Sequence, residues 1–152
     1  MRASLILDLI AAILILLLCY TAFSKLAELD SFRYVLSHLM GIRPIATPVA
    51  WAIPLVELTV SLLLLIPAYR KAGLWSAAIL LTIFTAYLAI VIGIDHDLPC
   101  SCGGVLKLMT WKQHLLFNIF FITLAVIGIR LASRAELFYC NKTGQAENLI
   151  TE

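Results

Sequence analysis

Residues 3–23 read ASLILDLIAAILILLLCYTAF, a run in which Asp8 is the single charged side chain. A helix crosses the hydrocarbon core of a bilayer in roughly 20 mostly apolar residues. The run therefore predicts a transmembrane helix. A cleaved secretory signal behind Arg2 is the competing reading. The apolar region of a signal is about 7 to 15 residues long and precedes a small-residue cleavage site. Here the run continues into Phe23-Ser24-Lys25 with no A-x-A pattern, and Leu17-Leu18 before Cys19 is not a lipoprotein-type cleavage site. The segment is expected to be retained.

Three more runs of this kind follow, at about 47–66, 72–94 and 111–132. The 152 residues are 62% hydrophobic and 13% charged, with a mean hydropathy of +1.02. Soluble domains are about 45 to 50% apolar. The runs are continuous rather than alternating ten-residue strands, which excludes a transmembrane β-barrel. The fold class expected is all-α, an integral membrane four-helix bundle over residues 1–132 with the lipid bilayer as its surroundings. Net charge of +2 points to no nucleic acid partner. No internal repeat is evident.

Between the first two spans, Leu29, Phe32, Leu36, Leu39 and Met40 recur at helical spacing while Glu28, Asp30, Arg33 and Ser37 take the other side. This predicts a short amphipathic interfacial helix, ended by Gly41 and Pro44. Pro54 lies inside the second span and predicts a kink there. Pro67-Ala68-Tyr69-Arg70-Lys71 is a tight basic turn that makes the second and third spans antiparallel neighbours. Thr110-Trp111-Lys112-Gln113 reads as a capping box opening the fourth span near Trp111. Residues 133–152 read as a polar cytoplasmic tail with short-range structure at most. Trp51, Trp75 and Trp111 fall near helix ends, as interfacial anchors do.

Four spans put both termini and the Arg70-Lys71 turn on one side. Arg2, Arg70, Lys71, Arg130, Arg134 and Lys142 then face Lys25, Arg33, Arg43, Lys107 and Lys112, a slight lean toward cytoplasmic termini. The expected location is the bacterial inner membrane, with residues 95–110 on the periplasmic side. That compartment also lets a disulfide persist.

Residues 95–110 carry Pro99-Cys100-Ser101-Cys102-Gly103-Gly104. Two cysteines one residue apart close a small, strained ring, and strained disulfides are the reducible, catalytic ones. The preferred reading is a redox pair in which one thiolate attacks and the other resolves. Gly103 and Gly104 permit positive φ and close backbone approach, suited to stabilising a thiolate and docking a partner. A passive disulfide and a metal site are the alternatives. Asp95, His96, Asp97 and His114 flank the thiols as further S2N2 ligands, but structural zinc takes Cys pairs two to four residues apart, so no metal is assigned. His96 reads as a solvated loop residue and His38 receives no role. His114, one turn into the fourth span, is the candidate for proton handling beside the thiols.

Glu57 is an ionisable group in the middle of the second span, where such groups face the bundle interior and pair or serve function. Lys25 is its expected partner, in an interhelical bridge or, alternatively, in proton transfer coupled to thiol oxidation. Asp8 is expected to reach interfacial water or Arg130. Asn118 reads as an interhelical hydrogen-bonding residue. Phe84, Tyr87, Phe117, Phe120 and Phe121 read as packing aromatics, with a flat cofactor slot as the alternative. Cys19 reads as a buried, inert thiol, and Cys140 lies at the opposite side. Asn141-Lys142-Thr143 matches a glycosylation sequon on the cytoplasmic side, a chance match to a short pattern.

Phe23-Ser24-Lys25-Leu26, Pro54-Leu55-Val56-Glu57-Leu58, the Cys100-Ser-Cys-Gly-Gly loop, and Trp111 with Asn118 together make the chain resemble the MauE/DoxX-like family of redox-associated membrane proteins. The resemblance covers about Leu5 to Arg130. It implies a four-helix membrane protein with an outer Cys-x-Cys motif that forms or transfers disulfides in envelope proteins. Methylamine-utilisation members are associated with maturation of the disulfide-rich light subunit of methylamine dehydrogenase. Thioredoxin-like proteins, or other envelope proteins with cysteines, are the implied partners. Quinone-linked oxidation in DoxX relatives makes a quinone the candidate electron acceptor, and no cofactor is certain. The family motif often reads Cys-Gly-Cys-Phe-Gly, where this chain has Ser101 and Gly103. A noncatalytic chaperone or scaffold for an envelope redox enzyme is the rival reading.

Overall fold

The breaks in the hydropathy pattern become turns between helices. The computed structural model describes residues 2–38, 43–94 and 111–150. Helix α1 covers Arg2–Ala27, α2 Leu29–His38, α3 Ala46–Leu65, α4 Arg70–Ile94 and α5 Trp111–Ile150. Two 3-10 turns, Arg43–Ile45 and Pro67–Tyr69, lead into α3 and α4. No strand occurs among the described residues. Four stretches are long and apolar enough to span a membrane: Ser4–Ala27, Ala46–Leu65, Pro67–Ile90 and Gln113–Arg134. The shortest has 20 residues. At 1.5 Å per residue that is about 30 Å, the thickness of the hydrocarbon core. The chain is a multi-pass membrane protein.

The turn between α3 and α4 is closed by its own backbone. The Ile66 N–H donates to the Leu62 carbonyl at 3.3 Å, and the Tyr69 N–H to the Ile66 carbonyl at 3.0 Å. Pro67 opens the 3-10 turn, where a missing N–H costs nothing. The two helices then run antiparallel and very close. A Cβ added at Gly73 would lie 2.8 Å from the Leu64 backbone nitrogen, so only glycine fits at that crossing.

Helix α1 packs mainly on α3 and α4 on α5, while α3–α4 and α1–α5 contacts close the square and α1 barely meets α4. Every adjacent pair is antiparallel, an up-down-up-down bundle. Leu14, Leu18, Leu64 and Leu74 fill the centre, with Ala22, Ala50, Ala77 and Ala125 fully buried between helices. Lipid tails are as apolar as leucine, so helices gain from associating only where small residues let surfaces pack closely. The outward faces carry exposed Leu5, Leu9, Leu16, Phe23, Leu65, Ile79 and Ile90. Such a surface suits hydrocarbon and not water.

Helix α2 lies against the start of α3. Phe32 and Leu36 pack on Ala46 and Ala50, while Asp30 and Arg33 stay outside in an exposed pair at 3.7 Å. The predicted amphipathic segment is thus a helix with one buried face. Helix α3 continues through the fully buried Pro54.

Two boundaries differ from the hydropathy reading. Helix α1 extends beyond Phe23 to Ala27, and α5 continues beyond residue 132 to Ile150. Hydropathy marks where apolar side chains end, whereas a helix continues until a breaker appears. Neither extension contains proline, and Ala135-Glu136-Leu137 are strong helix formers. Asp8 also differs from expectation, because it pairs with Arg70 rather than Arg130. Arg70 opens α4 at the same end of the bundle, while Arg130 occupies an exposed position on α5.

Candidate functional site

Helical side chains lean toward their own N-terminus. Helices α1 and α4 end on the side where α3 and α5 begin, so side chains from the two directions converge at mid-bundle. Lys25, near the end of α1, leans into the membrane, while Glu57, in the middle of α3, leans back toward it. The Lys25 Nζ donates to Glu57 Oε1 at 2.7 Å, with side-chain exposures of 8% and 1%. Burial of both ions makes this pair an internal contact of the bundle. The Lys25 ammonium also lies 5.3 Å from the centroid of the Phe84 ring, within cation–π range. Glu57 Oε2 is buried without a hydrogen-bond partner. Ser61, one turn further along α3, donates its hydroxyl to the Glu57 carbonyl at 2.9 Å.

Lys25, Glu57 and Phe84 border a cavity of about 190 Å³. Its walls come from all five helices: Leu17, Leu18, Thr21 and Lys25 of α1, Phe32 and Leu36 of α2, Val49, Ile53 and Glu57 of α3, Leu81 to Leu88 of α4 in part, and His114, Phe117 and Asn118 of α5. His114 and Asn118 are buried at 5% and 6% exposure, one turn apart on the same face. The cavity lies in the half of the bundle that contains the last turns of α1 and α4 and the first turns of α3 and α5. Residues 95–110 leave α4 at Ile94 and enter α5 at Trp111, at that same end.

The profile of the family described as "Methylamine utilisation protein MauE" matches residues 3–131. The chain belongs to the MauE family. Within this MauE-family chain the matched region takes in the first three spans, most of the fourth and the Cys100-Ser101-Cys102 segment between α4 and α5. No curated protein and no solved structure matches the chain.

Four of the residues singled out in the sequence, Lys25, Glu57, His114 and Asn118, meet around one cavity. Trp111 is the first residue of α5. Cys100, Cys102, Gly103 and Gly104 lie outside the described residues, as do Asp95, His96 and Asp97. Among the described residues no group of three His, Cys, Asp or Glu side chains gathers as a metal site. Of the five aromatics weighed as packing or as a slot, Phe84, Tyr87 and Phe117 line the cavity. Phe120 is exposed and Phe121 belongs to the core. Cys19 is a free thiol of intermediate exposure. Thr21 escaped the sequence reading. Its spacing of four from Lys25 on α1 was the available signal, since such residues share a helix face. The closure of the cavity by Phe32 and Leu36 had no sequence signal beyond the amphipathic pattern of α2.

Proposed function

We propose that this protein is a membrane thiol–disulfide exchange protein whose Cys100–Cys102 pair forms or transfers disulfides in envelope proteins. The observation that carries the reading is a mostly apolar cavity holding the Lys25–Glu57 pair, His114 and Asn118, in the end of the bundle where α4 stops before the Cys-x-Cys segment and α5 starts after it. In the oxidising direction, a partner thiolate attacks one sulfur of the Cys100–Cys102 disulfide, forming a mixed disulfide and freeing the other sulfur as a thiolate. The partner's second thiolate then displaces the bound sulfur. Two electrons pass from partner to pair, and two partner thiols become one disulfide. Gly103 and Gly104 give the partner backbone room to approach, and His114 handles protons at the first turn of α5. The Lys25–Glu57 pair orders the helices beneath. The family's description names methylamine utilisation, and we read the exchange as serving maturation of a disulfide-rich envelope enzyme in that setting. Cytoplasmic termini put the cysteine segment on the periplasmic face of the inner membrane, where thioredoxin-like proteins and other thiol substrates reside.

In a Cys102→Ser variant the Cys100 thiolate attacks a partner disulfide, the reverse of the exchange above, and the second thiol of the pair that would release the partner is missing. The expected result is a covalent adduct between Cys100 and an envelope protein, visible on nonreducing gels, released by dithiothreitol and missing from the Cys100→Ser/Cys102→Ser double variant. Full maturation of the envelope enzyme by that double variant would overturn the reading in favour of a noncatalytic chaperone.

A further inference from the structure

The chamber opens sideways, toward the lipid. Helices α3 and α4 are joined by the Pro67–Tyr69 turn and pressed together where Gly73 meets the Leu64 backbone. Away from that crossing, Ile53 and Glu57 of α3 and Ile83, Phe84 and Tyr87 of α4 line the cavity. Ile83 is also 58% exposed, so the wall on α4 reaches the outer surface of the bundle. It lies seven residues before Ile90, the end of its span. At 1.5 Å per residue the opening is about 10 Å below that end, inside a leaflet whose hydrocarbon is ~15 Å deep. Lipid tails stand at this opening, not water.

The walls suit the same material. A buried water needs about two to four polar partners. Here the charged groups engage each other, since Lys25 donates to Glu57 at 2.7 Å and Thr21 hydrogen-bonds to the same carboxylate. Leu17, Leu18, Ile53, Leu81, Phe84 and Phe117 make the other walls apolar. An apolar space left empty forfeits dispersion contacts along its whole lining. A hydrocarbon chain restores them without stranding a polar group of its own. A cavity of about 150 Å³ takes up benzene, so 190 Å³ holds roughly the last six carbons of a chain.

We propose that this chamber is a binding site for one acyl chain of a membrane phospholipid, taken in tail-end first from the leaflet on the side where α4 ends. The headgroup stays in the interface, and the end of the chain fills the space against the aromatic rings and shields the Lys25–Glu57 pair from water. The site depends on the bundle standing in a bilayer and not on thiol exchange, so either reading can fail without the other.

The test uses the full-length protein in phospholipid nanodiscs doped with a phosphatidylethanolamine that carries a diazirine at the end of one acyl chain. Cross-linked residues are located by mass spectrometry. Lipid lying around the bundle reaches outward side chains such as Ile79 and Leu116. A chain inside the chamber also labels the buried Leu18, His114 and Asn118, which is the expected result. The same lipid with its diazirine beside the ester should leave that buried set unlabelled. Ile83→Trp at the opening and Val49→Phe on the α3 wall should each lower labelling of the buried set at least about tenfold, or ~1.4 kcal/mol, with the outward set unchanged. Ile83 faces lipid, so its replacement leaves the core intact should Val49→Phe fail to fold, and melting temperatures in detergent check both. Labelling confined to outward residues in the wild type would overturn the inference. So would labelling of the buried set that neither variant reduces, or that the ester-side probe matches.

Discussion

Replacing one member of the Lys25–Glu57 pair tests whether the bundle depends on it. At 2.7 Å the two charges attract by about 6 kcal/mol at an effective dielectric constant of ~20. Desolvating two ions offsets most of that, so the intact pair contributes little net stability. Removing one partner is another matter, because it strands the other charge in a low-dielectric interior, at a cost of about 3–5 kcal/mol. The two single variants should differ. Glu57 lies 11 residues after Ala46, the first residue of α3. That is about 16 Å below the helix start at 1.5 Å per residue, beyond the reach of its side chain to the interface. Lys25 is two residues from the end of α1 and has a long stem that can extend toward the interface. Lys25→Met, which strands Glu57, should therefore cost more than Glu57→Leu, which strands Lys25. The double variant Lys25→Met/Glu57→Leu should cost less than either single one, with a coupling energy above about 3 kcal/mol. Reversible unfolding in mixed micelles, read as a double-mutant cycle, measures these values. Additive single effects, or wild-type stability for Lys25→Met, would refute the reasoning.

Gly73→Leu drives a side chain into the α3 backbone at Leu64 and should cost about 1–3 kcal/mol or prevent assembly, read from the melting temperature and monodispersity in detergent. Asp8→Asn breaks a pair whose carboxylate is 59% exposed, and the same melting assay should register less than about 1 kcal/mol. Phe32→Ala removes the main anchor of α2 and should cost ~2 kcal/mol. Limited proteolysis should then cut near α2 earlier than in the wild type, while the four spans remain intact. A periplasm-only reporter fused after Glu152 should be inactive; activity there would reverse the orientation.

Hydropathy alone located all four spans to within a few residues, apart from the far ends of α1 and α5. Hydrocarbon permits few solutions, and each span must satisfy its backbone internally, so the requirement is written locally in the chain. The amphipathic α2 was legible for the same reason, from the spacing of Leu29, Phe32 and Leu36. Glu57 was recognisable as functional or paired because an ionisable side chain in a span is costly wherever it faces. Asp8 was harder to assign. Arg70 and Arg130 both lie toward the same end of the bundle, and the choice between them depends on the rotation of α4 and α5 about their axes, which no local pattern records.

The cavity belongs wholly to the tertiary structure. Thr21, Lys25, Glu57, Tyr87, His114 and Asn118 come from four spans separated by up to 97 positions in the chain (118 − 21). Nothing in their spacing says that they share one space. Their meeting depends on the register of antiparallel helices, set by the tight turn at Pro67–Tyr69 and the close crossing at Gly73. The sequence by itself determined a four-span helical membrane protein with a Cys-x-Cys segment between the last two spans, because bilayer thickness and backbone satisfaction act on each segment separately. Only the packed bundle decided that a buried ion pair, a histidine, an asparagine and the rings of Phe32, Phe84, Tyr87 and Phe117 surround one chamber at that end, because side-chain convergence is a property of helices in contact.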